Sequence, residues 1–377
     1  KGLSPLATIL GHLNDATLAL HQGRLEECSI AVEAGLKASA THNIRIWDGI
    51  LRCHAISVAC SRLELDTASK HIAAIDELFA QNISIDEAYY RGMLMWHAFL
   101  SGDHVGAVSR CSVALGTADA KGVPYLQAVC RVGAAIALFE AGHRERGEGL
   151  LEEALCLARE IDNSQIAWIG GLFRAHFEFA RGNGIVGEDL LAQAMRLGRD
   201  YSLAHFFCWP RQIIAHLIDI ALERGYSPDY ARHLITVHSL MPAEHPSRSD
   251  EWAYDVRIFT LGAPRIEYAD GRVEPLSTQF QRQLELLAAL IGNNGTPTPI
   301  HVVAADVYPL EDVDGIGSIK RVLHSLRQRV GPIVVQRNAT LALDFSKVWI
   351  DACSLGKLLR QGSGDGDIEI WLDRYYR

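Results

Sequence analysis

The sequence predicts a mostly α protein in two parts: an α-solenoid of stacked helix pairs, then a small α+β domain. Three observations predict it. Turns of small residues return about every 40 residues through the first two-thirds of the chain, the mark of a helix–turn–helix array. Near residue 256 the hydrophobic period changes from helical to alternating. Further on, "GIGSIKRVLHSLRQRVG" (315–331) carries Lys320, Arg321, Arg327 and Arg329 and no acid, in a chain of formal net charge −9.

A chain of 377 residues suits two or three domains, and 49% hydrophobic residues can bury a large core. Charged residues of both signs argue against disorder. Residues 1–255 hold 22 Lys+Arg against 31 Asp+Glu, while 256–351 hold ten of each. The acid therefore belongs to the first region. Eight cysteines are scattered without a CxxC pair, so the expectation is buried free thiols in a reducing cytoplasm rather than zinc or redox chemistry. The longest stretch lacking Asp, Glu, Lys and Arg, Leu286–Ala305, contains "GNNGTPTP". That breaker excludes a membrane span. No signal peptide is apparent, and residue 1 is Lys, so the expectation is a piece of a longer protein.

The repeat turns are "HQGRL" at Gly23, "RLELD" near Glu64, "LSGDH" at Gly102, "EAGHR" at Gly142, "ARGNG" at Gly182 and "ERGYS" at Gly225. An apolar helix such as 126–141 precedes each turn, and an amphipathic one such as 144–161 follows. In the latter, Leu150, Leu151, Ala154, Leu155 and Ala158 share one face. No pair can bury that face alone, so neighbours complete the core. The short turn and the alanines after it, Ala107 and Ala114, resemble tetratricopeptide repeats. The likeness is to the slightly long repeats of MalT-like regulators and spans roughly residues 6–240.

Two phosphate-loop patterns are set aside. Gly182-x-Gly184-x-x-Gly187 matches the dinucleotide fingerprint in form, but a helical pattern precedes it where a strand is required. The Gly142–Gly147 spacing has Glu148 where the phosphate-binding Lys belongs. No ATPase core and no cofactor site are expected in this chain. Histidines show no HExxH spacing and no metal cluster. The first helices of such stacks line a concave ligand groove. Trp96, His97, Trp168 and Arg174 are its candidate contacts, with Trp47, His176 and Trp209. The competing reading of the tryptophans is as core wedges.

The repeats end near residue 240. Pro242, Pro246, Ser247 and Ser249 mark a linker over 241–255. "VRIFTLG" (256–262) alternates as a strand, and Asp270-Gly271 marks a hairpin turn. Three helical segments follow: 277–292 behind a Ser/Thr cap, 299–309 between prolines, and the cationic segment. Two strands turn near Asn338, and "VWID" is a further strand.

Strands, three helices and a hairpin are the winged-helix order. The pieces "IFTLGAPRIEYADGR", "QRQLELLAALI", "HVVAADVYP", "SIKRVLHSLRQRVG" and "LALDFSKVWIDACSL" resemble the OmpR-type winged helix as found in Streptomyces antibiotic regulatory proteins. The likeness covers 256–351. It departs from that pattern at "STQFQRQ", which has only Arg282 as a basic start. The tail 352–377 reads as the start of a further helical segment.

On a helix, Ile319, Val322, Leu323, Leu326 and Val330 form one narrow stripe, with Arg321, His324 and Gln328 opposite. Arg and Gln suit guanine and adenine edges, while Lys320, Arg327, Ser318 and Ser325 suit phosphates. Arg337 and Asn338 fall at the wing tip. This points to promoter DNA as a partner and to a bacterial transcription regulator, with the repeats taking a small-molecule or protein inducer. So few cations imply modest affinity, hence self-association on repeated half-sites. The resemblance to MalT-like activators further implies an upstream nucleotide-binding switch using ATP, self-association when active, recruitment of RNA polymerase and a cytoplasmic site of action. The alternative is a repeat scaffold whose second domain binds protein. An enzyme is not expected, because no nucleophile elbow or metal cluster is visible.

Overall fold

The computed structural model describes residues 4–80, 87–243, 251–276, 280–293, 296–308, 315–360 and 365–376. Its fold class is the expected one, a helical-repeat solenoid followed by a small α+β unit. The two compact units are Lys1–His238 and Ser239–Arg377. Residues 244–250 of the proposed linker, the Ser277–Thr278 cap and the Asn294–Gly295 turn lie outside the described residues.

The first unit is six helix pairs: α1 (Pro5–His21) and α2 (Leu25–His42); α3 (Asp48–Ser61) and α4 (Leu65–Ala80); α5 (Glu87–Leu100) and α6 (His104–Lys121); α7 (Pro124–Glu140) and α8 (Arg144–Glu160); α9 (Ser164–Ala180) and α10 (Gly184–Asp200); α11 (Arg211–Glu223) and α12 (Pro228–His238). None is long and apolar enough to cross a membrane among the described residues.

All six turns within pairs close alike. Gly23, Leu63, Gly102, Gly142, Gly182 and Gly225 hold φ of 71°, 59°, 78°, 90°, 83° and 71°. The N–H of the next residue donates to the carbonyl five positions back, as in His143 to Leu138 (2.9 Å) and Tyr226 to Ala221 (2.7 Å). This left-handed stop satisfies carbonyls that the helix end leaves open. Gly182 and Gly184 of the discounted fingerprint are such a turn and the start of α10, with a helix before them.

Connections between pairs are mostly short. Residues 122–123 join α6 to α7, and 161–163 join α8 to α9. The connection from α10 to α11 is longer, residues 201–210, "YSLAHFFCWP". Its Phe206, Phe207, Cys208 and Trp209 are all buried.

The second unit opens with β1 (Val256–Phe259), β2 (Arg265–Tyr268) and β3 (Val273–Pro275). Asp270-Gly271 forms the β2–β3 turn, with Gly271 at φ 83°. Then come α13 (Gln281–Gly292), β4 (Thr298–Pro299), α14 (Ile300–Val307), α15 (Gly315–Val330), β5 (Val334–Arg337), β6 (Thr340–Leu343) and β7 (Val348–Ile350). Two helices end the chain, α16 (Asp351–Arg360) and α17 (Asp365–Tyr376). One sheet runs β3-β2-β1-β7, with β7 parallel to β1. The other runs β4-β6-β5.

Both faces of β1 are covered. Val256 and Ile258 join the core that α13, α14 and α15 fill. Phe259 points the other way, 5.3 Å from the Trp349 ring and 6.0 Å from Tyr375 of α17, under the Arg265 guanidinium at 3.6 Å. The carboxylate of Asp351, fully buried, ties the layers together. It accepts from the Thr260 and Leu261 N–H groups (2.8 Å each to Oδ2), the Thr260 hydroxyl (2.7 Å) and the Tyr376 hydroxyl. The tail is thus two formed helices, and its last turn is hydrogen-bonded to the end of β1 through this one side chain.

Left-handed backbone costs a side chain about 1–2 kcal/mol relative to glycine. At Gly142 an added Cβ would meet nothing within 4 Å, so Gly142→Ala isolates that cost. Leu63 is 54% exposed and loses little packing as glycine. We expect Gly142→Ala to lower, and Leu63→Gly to raise, repeat stability by about 1 kcal/mol. The check is the guanidinium midpoint of the helical signal at unchanged m.

Candidate functional site

Helix α15 is oriented by what it buries. Ile319, Leu323, Leu326 and Val330 are 0–4% exposed and join the core. Val322 packs at its edge. Each burial contributes about 1.5–3 kcal/mol, far more than exposed charges contribute by facing one way or another. The stripe therefore wins, and Lys320, Arg321, His324, Ser325, Arg327 and Gln328 are left exposed.

Their neighbours define what that face offers. Gln328 Nε2 and His324 Nε2 lie 3.0 Å apart, one turn from each other. Ser325 accepts from Gln283 of α13 (3.2 Å). Arg327 reaches the Val334 carbonyl at 3.3 Å, at the start of β5. Lys320 makes no ion pair among the described residues. Arg337 and Asn338 are exposed in the β5–β6 hairpin. Asn338 and Ala339 hold φ of 45° and 63°, the two-residue turn that suits a right-twisted hairpin.

Two residues depart from the sequence reading. Ser318 is only 8% exposed, and its hydroxyl accepts from Arg321 Nη2 at 3.2 Å. It positions Arg321 rather than facing a phosphate. Arg329, the fourth cation, is committed elsewhere. It pairs with Glu274 of β3 and lies over the Phe280 ring at 3.7 Å. The exposed face thus carries three cations. Arg282, the lone basic residue opening α13, donates to the Val307 carbonyl at the end of α14 (3.0 Å) and stacks on Tyr308.

The repeat candidates separate sharply. Trp96, Trp168 and Trp209 are 0% exposed and wedge the core, because an indole set among apolar inner helices gains most by full burial. They offer no surface to a ligand. Trp47 is half-buried at the start of α3. His97 is half-buried, 3.2 Å from the Ser69 hydroxyl, and borders a shallow cleft of about 360 Å³. Arg174 is exposed and paired with Glu152 (3.1 Å), and His176 meets Glu140 at 2.8 Å. The structure does not bring these residues into one site. Among the described residues no group of His, Cys, Asp or Glu is arranged to hold a metal ion.

The inner face of the repeats is instead occupied by the 201–210 connection, which no periodic signal had singled out. Three successive carbonyls are taken by side chains of the surrounding helices. Tyr230 of α12 donates to Leu203 (2.6 Å), His238 of α12 bonds Ala204 (2.7 Å), and Gln165 of α9 donates to His205 (2.9 Å). His205 Nε2 lies 3.3 Å from Ser57 of α3, and Gln165 also reaches His21 of α1 at 2.7 Å. Trp209 stacks on His238 at 4.2 Å. The segment thereby ties α1 and α3 to α9 and α12.

Four histidines, His21, His54, His205 and His238, share this inner region. Burial pushes the pKa of each down. For His54 burial and the nearby His21 take it to about 4. For His238 burial, with Arg211 and His233 adding to it against the Ala204 bond, also takes it to about 4. His205 is lowered well below its usual value by burial, then by His238 and His21. His21 is lowered by burial alone.

No family model matches the chain, and no curated protein matches it. Among solved structures it is similar to a Rap protein complexed with Competence and Sporulation Factor, with a TM-score of 0.49 at 10% identity over 87% of this chain and 77% of that one. It is also similar to the apo form of RapI, with a TM-score of 0.28 at 12% identity over 85% of this chain and 87% of that one. Superposition at this level carries no argument about function.

Unfolded, these histidines take protons near pH 6.5; folded, His54 and His238 refuse them until about pH 4. Their stabilisation is complete above 6.5 and is lost as pH falls toward 4. Each accounts for about 3 kcal/mol at most. We expect the repeat unit to melt well below its neutral-pH temperature at pH 5, and His54→Gln to flatten that dependence. Equal melting temperatures at pH 7.5 and 5 contradict this.

Proposed function

We propose that the chain is a DNA-binding regulator. On this reading the C-terminal unit is a winged helix with α15 as its recognition helix, and the repeats receive a signal. The observation that carries the reading is the packing of α15. Its aliphatic stripe is buried while Arg321, His324 and Gln328 are exposed together, with Arg337 and Asn338 on the adjacent hairpin. A helix so displayed, beside a three-stranded sheet ending in a two-residue turn, suits a major groove, and the hairpin tip suits a minor groove or phosphates. The inducer is a small molecule or a protein segment acting on the repeats. RNA polymerase as a further partner, and self-association on repeated half-sites, follow from the same reading.

The modest cation count is what favours a second reading, a scaffold whose C-terminal unit binds protein. With Arg329 committed to Glu274, Lys320, Arg321, Arg327 and Arg337 are the cations left near the face.

Fluorescence anisotropy with duplex DNA at several salt concentrations decides between them. Contacts from three or four cations give a log–log slope of about −3. Substituting both Lys320 and Arg321 with alanine should cut affinity at least tenfold without changing stability. Arg329→Ala should instead lower stability by about 1 kcal/mol and leave the salt slope in place. Affinity indifferent to salt, or no affinity for duplexes selected from a random pool, supports the scaffold.

A further inference from the structure

The 201–210 connection is held as a bound peptide is held. From Leu203 to Phe206 it is neither helix nor strand. Its backbone is read by side chains rather than by a ladder: Tyr230, His238 and Gln165 take the carbonyls of Leu203, Ala204 and His205 in turn. Such contacts grip an extended chain without regard to its sequence.

The side chains then fill prepared space. Phe207 enters where α5 and α7 carry glycine. A Cβ added at Gly133 would sit 2.8 Å from Phe207 Cζ, and one at Gly92 would sit 3.8 Å from the same ring. Trp209 lies between His238 and Trp168, with ring centroids at 4.2 and 5.9 Å. The segment thus touches α3, α5, α7 and α9, the first helices of four consecutive pairs.

Its length sets it apart from the other connections. The neighbouring α6–α7 and α8–α9 connections stack their pairs with two and three residues (122–123 and 161–163), so stacking does not require ten.

We propose that the inner face of the repeats is a binding channel for an extended, aromatic-rich peptide segment, and that Leu203–Trp209 is its internal occupant, displaced when such a segment binds. This rests on reading the repeats as the signal-receiving unit. It adds the class of ligand and the state the ligand must compete with.

The test uses the full chain and a synthetic peptide of residues 202–211 under reducing conditions. In one variant, residues 203–209 are replaced by glycine and serine at equal length. That variant should keep its helical signal and bind the peptide one-to-one, at least tenfold tighter than the unaltered chain does. A folded variant that ignores the peptide, or that binds a scrambled peptide equally well, overturns the proposal. Should the variant not fold, hydrogen exchange of the unaltered chain decides. Amides of residues 203–209 exchanging at least tenfold faster than those of α7 and α9 support a displaceable segment, and exchange only with global unfolding overturns it. Peptide binding that leaves DNA affinity unchanged keeps the channel and removes the signal-receiving reading.

Discussion

Burial of apolar stripes is the constraint on which both units depend. In α15 it settles direction. With Ile319, Leu323, Leu326 and Val330 inside, the helical period leaves Arg321, His324 and Gln328 outside. No specific charge interaction is needed to turn them there. In the repeats the same constraint acts on pairs. Helix α7 is apolar nearly all round, buried at Ala128, Val129, Cys130 and from Val132 to Phe139, so neighbouring pairs cover only part of it. A helix of that composition demands cover on its inner side too, and Phe207 supplies some of it against Gly133.

Electrostatics act at second order and are mostly local. Arg131 joins α7 to its neighbours through Asp119 (2.9 Å) and Glu153 (2.8 Å), and Arg181 holds Glu148 and Glu178. Most of these ions are partly exposed, so each pair contributes little. Two placements matter more. Asp351 collects donors from the two residues after β1 and from α17, which holds the layers packed on the β3-β2-β1-β7 sheet in one arrangement. Arg329 is drawn to Glu274 and Phe280, which anchors α15 to β3 and removes a cation from the exposed face.

The candidate DNA face was largely legible beforehand, because stripe and opposite face belong to one helix. Ser318 was misjudged there, since its burial depends on how the start of α15 packs and not on its position around the helix. The groove is less legible: Trp96 and Trp168 have the residue type and helix of groove contacts, yet both are fully buried. The sequence carries a signal for the inner segment: "SLAHFFCWP" is an uncharged, aromatic run where the repeat rhythm lengthens, and Phe207 within it packs at Gly92 and Gly133.

What the chain determines by itself is what can be written in short-range terms: the period near 40, the six turns, the Asp270-Gly271 and Asn338 hairpins, and the stripe of α15. Each follows from spacing within one element or from the backbone freedom of one residue. What only the tertiary structure decided are pairings across long separations. His21 with Gln165 spans 144 residues and Ser57 with His205 spans 148, and Thr260 with Asp351 spans 91. Such contacts have no period, because they depend on how successive helix pairs rotate and on which surfaces that rotation brings face to face.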